Sequence, residues 1–397
     1  MDLKTQALNM HRNYKGKMEV VSKVPIESMV DLSLAYSPGV AEPCLEIKNN
    51  PSAIYEYTMK GNLVGVVTDG TAVLGLGDIG PKAALPVMEG KGILLKRFAN
   101  VDAFPVCLDT KNVEEIVQIV KALSPTFGAI NLEDISAPRC FEIEDRLRKE
   151  LDIPVFHDDQ HGTAIVVGAG LQNAVKLVGK EIHSLKVVIN GAGAAGMAIL
   201  RVLQQLGYQQ IIMCDSTGII YEGREEGMNS IKESIASITN PLGIKGSLKD
   251  AMVGADIFIG VSVANLLTKE IIDVMNVDSI VFALANPTPE IAYNLAKEWG
   301  VRVIATGRSD HPNQVNNVLA FPGIFRGALD VRATDINEEM KLAAVEAIAS
   351  LIKEAELTED YIIPDVFDER VVNAVSQAVS NAAIESGVSI LFQAALK

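Results

Sequence analysis

Short apolar runs alternate with amphipathic stretches along most of the chain, and that alternation predicts strands interleaved with helices. Residues 63–68 and 103–109 read as strands, and 113–123 as a helix. Residues 129–134 and 155–163 are short apolar strands running into adjacent acids, with a charged helix over 139–150 between them and another helix beginning at Gly162. Further on, residues 185–190 form a buried strand, 197–206 a helix stopped by Gly207, and 210–214 a second strand ending in Asp215. Strands over 255–260, 279–285 and 301–305 follow, with helices near Lys232 and Ala292 between them. The tail from Thr334 is helical, broken at 362–364, with a last amphipathic helix over 371–386. Apolar strands alternating with helices predict a parallel sheet covered on both faces, so the fold class is α/β.

One unit is more specific than the rest. Gly191-Ala192-Gly193-Ala194-Ala195-Gly196 joins the strand at 185–190 to its helix. In a dinucleotide site the first glycine permits the tight turn, the second lets backbone approach the pyrophosphate, and the third allows close helix-to-strand packing. Asp215 lies 19 residues beyond Gly196, the distance at which an acid accepts from the adenosine ribose, which favours NAD over NADP. A glycine turn used only for packing would not need the matching strand, helix and acid. Ser216-Thr217 beyond the acid would still tolerate a phosphate.

Other residues carry candidate chemistry in pieces. Gly75-x-Gly77-x-x-Gly80 imitates the same fingerprint, but Pro81 follows at once, so it reads as a close turn. Lys91 stands between Gly90 and Gly92 before an apolar run, and desolvation there would lower its pKa and suit it to act as a base. The plain alternative is an exposed lysine. Glu133, Asp134 and the pair Asp158-Asp159 end strands, and carboxylates so placed suit Mg2+ or Mn2+. His157 and His161 have no cysteine or further histidine beside them to make a zinc site. Tyr36 precedes Ser-Pro-Gly in a turn. Asn286, in Asn-Pro-Thr-Pro, and Asn316-Asn317 sit in loops after strands, where ligands of parallel sheets bind.

Composition sets limits on this picture. At 397 residues the chain suits two domains rather than one core. We place an N-terminal α/β domain at 1–155, a doubly wound Rossmann-type domain at 156–385 and a tail at 386–397. A net charge of -15 without a basic stripe argues against nucleic acid and anionic membranes. No apolar run reaches the roughly 18 residues of a membrane helix, and the first residues lack a secretory pattern, so a cytoplasmic address is expected. Cys44, Cys107, Cys140 and Cys214 lack paired spacing and are expected to be buried free thiols.

Taken together, the motifs resemble the malic enzyme family. The resemblance rests on Leu34 to Val40 around Tyr36, Val67-Thr68-Asp69-Gly70 with Leu74 to Asp78, Gly90-Lys91, Glu133-Asp134, Phe156 to Asp159 with Gly162-Thr163-Ala164, the glycine fingerprint, Ala285 to Thr288, and Asn316 to Val318 with Phe321-Pro322-Gly323. They occur in the family's order and cover nearly the whole chain, whose length resembles the short bacterial form. The resemblance implies oxidation of L-malate with NAD, decarboxylation to pyruvate, and a need for Mg2+ or Mn2+. It implies Lys91 as the base, Tyr36 as the acid, and Glu133, Asp134 and Asp159 as metal ligands. Asp158 would partner the lysine, and Asn286 and Asn317 would contact substrate, with Asn286 also near the cofactor. Larger members carry an arginine where this chain has Ala72, so the grip on the second carboxylate stays open. The family is usually dimeric, and a homodimer is expected. The rival readings are NADP in place of NAD, a malolactic or oxaloacetate-decarboxylating reaction, and, from another class, a dinucleotide sensor without catalysis. A sensor predicts erosion of Tyr36, Lys91 or the metal acids, and none is eroded.

Overall fold

The computed structural model describes residues 2–73 and 75–391. Leu74 and the end of the expected tail lie outside the described residues.

Two sheets carry the architecture. The first orders its four strands β2-β1-β3-β4, with β1 Leu63–Thr68, β2 Asp102–Cys107, β3 Ala129–Leu132 and β4 Val155–His157. All of its pairings are parallel, and β1 is buried at every residue. Parallel pairing requires a crossover after each strand, here the helices Pro81–Ala99, Val113–Leu123 and Arg139–Glu150. It also sends every carboxyl end to the same edge. Asp69, Glu133-Asp134 and Asp158-Asp159, far apart in sequence, therefore meet there.

The second sheet runs β10-β9-β8-β5-β6-β7. Its strands are β5 Lys186–Asn190, β6 Gln210–Asp215, β7 Gly218–Ile219, β8 Ile257–Gly260, β9 Ile280–Ala283 and β10 Val303–Thr306. All pairings are parallel except β6 with β7, where the chain turns back at once after Asp215. That two-residue strand was not visible in the apolar pattern because it is too short to show a period.

Helix Asp158–Val178 joins the two halves. Its residues are buried almost throughout, from Asp158 to Val175. A helix apolar on all sides belongs inside a protein, and here one continuous core links Val64 and Val66 of β1 to Val187 and Ile189 of β5 through Ala164 to Leu171. The sequence reading began this helix at Gly162. It begins four residues earlier because β4 passes into it directly, which puts both acids in its first turn, where the helix dipole favours negative charge.

Helix Pro81–Ala99 also departs from the local pattern. Pro86, Gly90 and Gly92 all disfavour a helix interior, yet the helix runs through them. Its buried face, Ala84, Met88, Lys91, Leu95 and Ala99, packs beside β1 and β2 and outweighs the local cost. The glycine at 92 has a packing reason, since an added Cβ would lie 2.5 Å from Met18 Sδ.

The N-terminal arm is different in kind. Its helices Leu3–Tyr14, Met29–Ala35 and Ala41–Asn49 bury no residue at all. Large apolar side chains on it stand in solvent, Val20 at 87% and Met29 at 75% exposed among them. Lys17 ties the arm down, its backbone N–H donating to Glu89 Oε2 at 3.0 Å. Of the four thiols, Cys140 and Cys214 are buried as expected, whereas Cys107 is half-buried and Cys44 is exposed because it rides on this arm. Among the described residues, no helix is long and apolar enough to cross a membrane.

Candidate active site

The glycine turn has the geometry that its spacing predicts. Gly191 adopts φ +124°, and a Cβ there would lie 2.7 Å from Val261 O. At Gly196 an added Cβ would be 1.8 Å from Gly191 O, so only glycine lets the helix approach the strand this closely. At Gly193, by contrast, nothing in the chain lies within 4 Å of the would-be Cβ. That opening is where a pyrophosphate would approach the backbone. Helix Ala194–Gln205 starts there without a side-chain cap, which leaves the N–H groups of Ala194, Ala195 and Gly196 for an anion.

Asp215, at the end of β6, is less available than its position implies. Its Oδ1 accepts from Arg224 Nη1 and from Thr217 N, both at 2.9 Å. Its Oδ2 accepts from Arg224 Nη2 at 2.5 Å and is 2.6 Å from Lys232 Nζ. Burial pulls this carboxyl upward, but the bonds to Arg224, Lys232 and the Thr217 N–H hold it at about 2. The sequence reading missed both cations. Arg224 follows in a glycine-flanked loop nine residues on, and only the β6–β7 hairpin brings it back.

At the edge of the first sheet, the carboxylate oxygens of Glu133, Asp134 and Asp159 lie within 4.8 Å of one another. Glu133 and Asp134 are buried, and Asp159 is half-buried. Asp134 is held in a left-handed turn at φ +54°. Its N–H donates to Asp159 Oδ2 at 2.7 Å, and its carbonyl accepts from the Thr71 and Ala72 N–H groups at 3.1 and 2.9 Å. Asn131 Nδ2 donates to Glu133 Oε2 at 3.0 Å. The Asp69-Gly70 turn therefore packs directly on the acids, and Gly70 is required in it, because a Cβ would meet Gly80 at 2.4 Å.

Lys91 enters this cluster from its helix. Its ammonium bonds Asp158, lies 3.1 Å from Glu133 Oε1 and sits 4.6 Å from the centre of the Phe321 ring. Asn317 Nδ2 donates to Asp158 Oδ2 at 2.5 Å. Gly162 makes room for this contact, since a Cβ there would overlap Asp158 and approach Asn317 at 2.9 Å. The expectation that desolvation would lower the lysine pKa is not met among the chain's own charges. Burial does pull it down, but Asp158, Glu133 and Asp159 outweigh burial and the net shift is upward. Burial and Asp159 push Glu133 well above the usual carboxylate range, and burial raises Asp158 to about 6 despite Lys91.

Those shifts express a charge imbalance. Glu133, Asp134, Asp158 and Asp159 face one ammonium, and the nearby Arg139 is already committed to Asp69 at 2.7 Å. An all-oxygen donor set with surplus negative charge fits a hard divalent cation such as Mg2+ or Mn2+. Among the described residues, the cluster consists of carboxylates alone.

Glu144 was invisible to sequence reasoning. From helix Arg139–Glu150 its buried carboxylate accepts from His157 N and Gln160 Nε2 at 3.2 Å and from His161 Nε2 at 2.8 Å. It thereby anchors the turn that presents Asp158 and Asp159. Burial works against its charge, but His161, Lys341 and His157 hold it at about 2.

Two expected residues lie apart from this cluster within the single chain. Tyr36 ends helix Met29–Ala35 and is 69% exposed. Asn286 is exposed in the loop after β9, and its backbone O lies 2.7 Å from where a Gly75 Cβ would stand. The two loops thus meet across the gap between the sheets.

Comparison with known proteins agrees with this geometry. Residues 15–148 match the profile of the malic enzyme N-terminal domain, and residues 160–386 that of the malic enzyme NAD binding domain. The bifunctional malic/malolactic enzyme of Bacillus subtilis is 64% identical over 389 residues, covering 98% of this chain and 95% of that protein. The NAD-dependent malic enzyme of Geobacillus stearothermophilus is 60% identical over 94% of this chain and 78% of its own length. Among solved structures, the NAD-dependent malic enzyme of Thermotoga maritima superposes with a TM-score of 0.92 at 51% identity, covering 94% of this chain and 98% of that one. Both domain profiles match in order, and relatives above half identity extend over nearly all of the sequence, so the chain belongs to the malic enzyme family.

Proposed function

We propose that this chain oxidises L-malate with NAD and decarboxylates the oxidised product to pyruvate and carbon dioxide, with Mg2+ or Mn2+ held by Glu133, Asp134 and Asp159. The observation that carries the reading is the buried lysine set against that three-carboxylate cluster, in a chain that also holds the glycine turn. In this division, residues 1–155 supply most of the substrate and metal site, 156–385 hold the dinucleotide, and Asp158 and Asp159 reach back from just beyond the boundary.

Lys91 is the base for the C2 hydroxyl proton, a role that needs its neutral form, which the surrounding carboxylates disfavour and which a bound cation would favour by offsetting their charge. Asp158 and Asn317 orient the lysine, and Phe321 closes one side of it. A bound divalent cation would offset the crowded carboxylates and polarise the C2 oxygen. NAD would take up the hydride, with its pyrophosphate on the Gly191–Gly196 turn. Asn286 and Asn317 hold the substrate's polar groups without adding charge. Tyr36 returns a proton to the carbon that carbon dioxide leaves.

The test is NADH formation by absorbance with malate, NAD and Mn2+, with pyruvate measured in parallel. Activity should vanish on chelation and return with Mn2+. Because the B. subtilis relative is named for malolactic as well as malic activity, a second reading has the chain also convert malate to lactate with NAD retained. Lactate without net NADH would favour that reading.

The arm motivates a further part of the proposal. We infer that the chain acts as a homodimer in which the arm packs on its partner, covering apolar residues such as Val20, Met29 and Leu34 and carrying Tyr36 into the partner's site. Tyr36→Phe and Lys91→Ala chains, each nearly inactive alone, should regain up to about a quarter of wild-type activity when refolded together, because about half of the dimers are mixed and each of those has one intact site of two. No recovery, or a monomer by sedimentation, would rule this arrangement out.

A further inference from the structure

One buried carboxylate at the ligand edge of the second sheet takes no part in the chemistry assigned to Lys91 and its acids. Glu290 is wholly buried at the end of the loop that follows β9. Its Oε2 accepts from the Ala285 N–H at 3.0 Å and its Oε1 from the Ser262 N–H at 3.1 Å. The two donors belong to different loops, one after β9 and one after β8. Gly260 makes room for the bridge, since a Cβ there would lie 2.4 Å from Glu290 Cδ. Burial raises this carboxyl above its usual range, and the backbone N–H groups of Ala285 and Ser262 pull it back. An ionised carboxylate suits the place, because both of its oxygens accept and neither presents a proton to the two N–H groups.

Each end of the bridge leads into the site. Ala285 immediately precedes Asn286, and residues 286–288 are exposed while Ala285, Pro289 and Glu290 are buried. The exposed turn therefore stands on a base that Glu290 closes. Backbone bonds from Asn265 N to Pro289 O and from Leu267 N to Glu290 O, both 3.0 Å, hold the far end of that base. On the other side, Ser262 Oγ accepts from Asn190 Nδ2 at 2.6 Å, and Val261 O is the atom against which Gly191 packs. One carboxylate thus fixes the Asn286 turn relative to the dinucleotide turn.

We propose that Glu290 is a positioning residue of the malate reaction, tying the Asn286 turn to the loop packed on the dinucleotide turn and so setting where Asn286 meets the substrate. Backbone bonds hold the far end of the Asn286 loop, and the carboxylate holds its near end at Ala285. In Glu290→Gln one of the two N–H groups meets an amide NH2 in place of an oxygen, so the turn shifts although the side-chain volume is kept. The role rests on the substrate contact assigned to Asn286, and it acts through that contact rather than on the reacting atoms.

A double-mutant cycle on the full chain, loaded with Mn2+ and NADH, tests this. The reduced cofactor cannot accept a hydride, so L-malate binds without turning over and its Kd is read by calorimetry. Glu290→Gln should weaken malate by about tenfold or more, the range of one hydrogen bond to a charged group, with a parallel rise in KM when NAD is reduced. Asn286→Ala should weaken it by a similar factor, and adding Glu290→Gln should then cost less than about twofold more, since residues acting through one contact are not additive. Glu290→Asp keeps the charge at a shorter reach and should follow the same pattern, which serves if Glu290→Gln melts below the assay temperature. Unchanged affinity in a folded Glu290→Gln chain, or its full loss added on top of Asn286→Ala, would overturn the assignment. Failure of both Glu290 variants to fold would make Glu290 a folding residue and overturn it as well. Wild-type affinity in Asn286→Ala would overturn the substrate contact of Asn286 and the role of Glu290 with it. A chain that shows the expected cycle but forms no NADH from malate and NAD would instead overturn the proposed reaction and leave Glu290 in its role.

Discussion

Lys91→Ala should lower kcat for malate oxidation by about 10²–10⁴-fold, the usual weight of a positioned acid or base, while NAD still binds. The residue is buried, bonds Asp158, and lies 3.1 Å from Glu133 Oε1, beside the carboxylates assigned to the metal. Two effects compete in the variant. Removing one partner of a buried ion pair typically costs about 3–5 kcal/mol, so lost activity could mean a lost fold. Here Glu133 and Asp158 contact the ammonium and Asp159 lies near it, and a divalent cation would offset part of the charge that its removal exposes. A thermal melt with and without Mn2+ separates the two effects, because a chemical role predicts a folded, NAD-binding and nearly inactive protein in Mn2+. Lys91→Arg is a second check. It keeps a positive charge but cannot deprotonate near neutral pH, so it should melt close to wild type and remain inactive. Turnover near the wild-type rate in either variant would remove Lys91 from the role of base.

How much of this was legible in the sequence depended on how local the cause was. Strands β5 and β6 and the turn between them were readable because continuous apolar runs and glycine spacing are set within about thirty residues. Helices Val113–Leu123 and Arg139–Glu150 fall where their periodicity placed them. Helix Pro81–Ala99 did not, because Pro86, Gly90 and Gly92 are local breakers and the burial that overrides them comes from the sheet and from Met18. The acids were legible as strand ends suited to one divalent cation, and parallel pairing brings Glu133-Asp134 and Asp158-Asp159 to the same edge.

Side chains acting at a distance were the least legible. Glu144 reads as one more charge on a charged helix, and its function depends on His157, Gln160 and His161 arriving from the next element. Arg224 and Lys232 occupy both oxygens of Asp215, a pairing that its spacing from Gly196 does not foretell. Tyr36 marks the opposite limit. Its motif was plain in the sequence, yet within one chain the residue remains in solvent on an arm with no buried side chain. That combination is explained most simply if a second copy completes the arm.

Gly196→Ala and Gly193→Ala should separate the two purposes of the glycine turn. At Gly196 the added Cβ would fall 1.8 Å from Gly191 O, a backbone atom that cannot swing aside like a side chain. Either helix Ala194–Gln205 moves away from β5 or the turn at Gly191 opens, and both displace the N–H groups that face the pyrophosphate. Overpacking of this kind costs roughly 1–3 kcal/mol, which in a domain of this size lowers the melting temperature by several degrees, at about 2–4 °C for each kcal/mol. NAD affinity should fall by about 100-fold or more, because about two charge-assisted bonds are lost together. Gly193 has nothing within 4 Å of its would-be Cβ, so its alanine variant should melt like wild type in the absence of NAD. The methyl group would instead occupy the opening through which the dinucleotide approaches, and the KM for NAD should rise by about tenfold or more. A melting curve and a calorimetric titration of each variant decide the matter. Normal NAD binding by Gly196→Ala would mean that the close approach of helix and strand is not what forms the cofactor site.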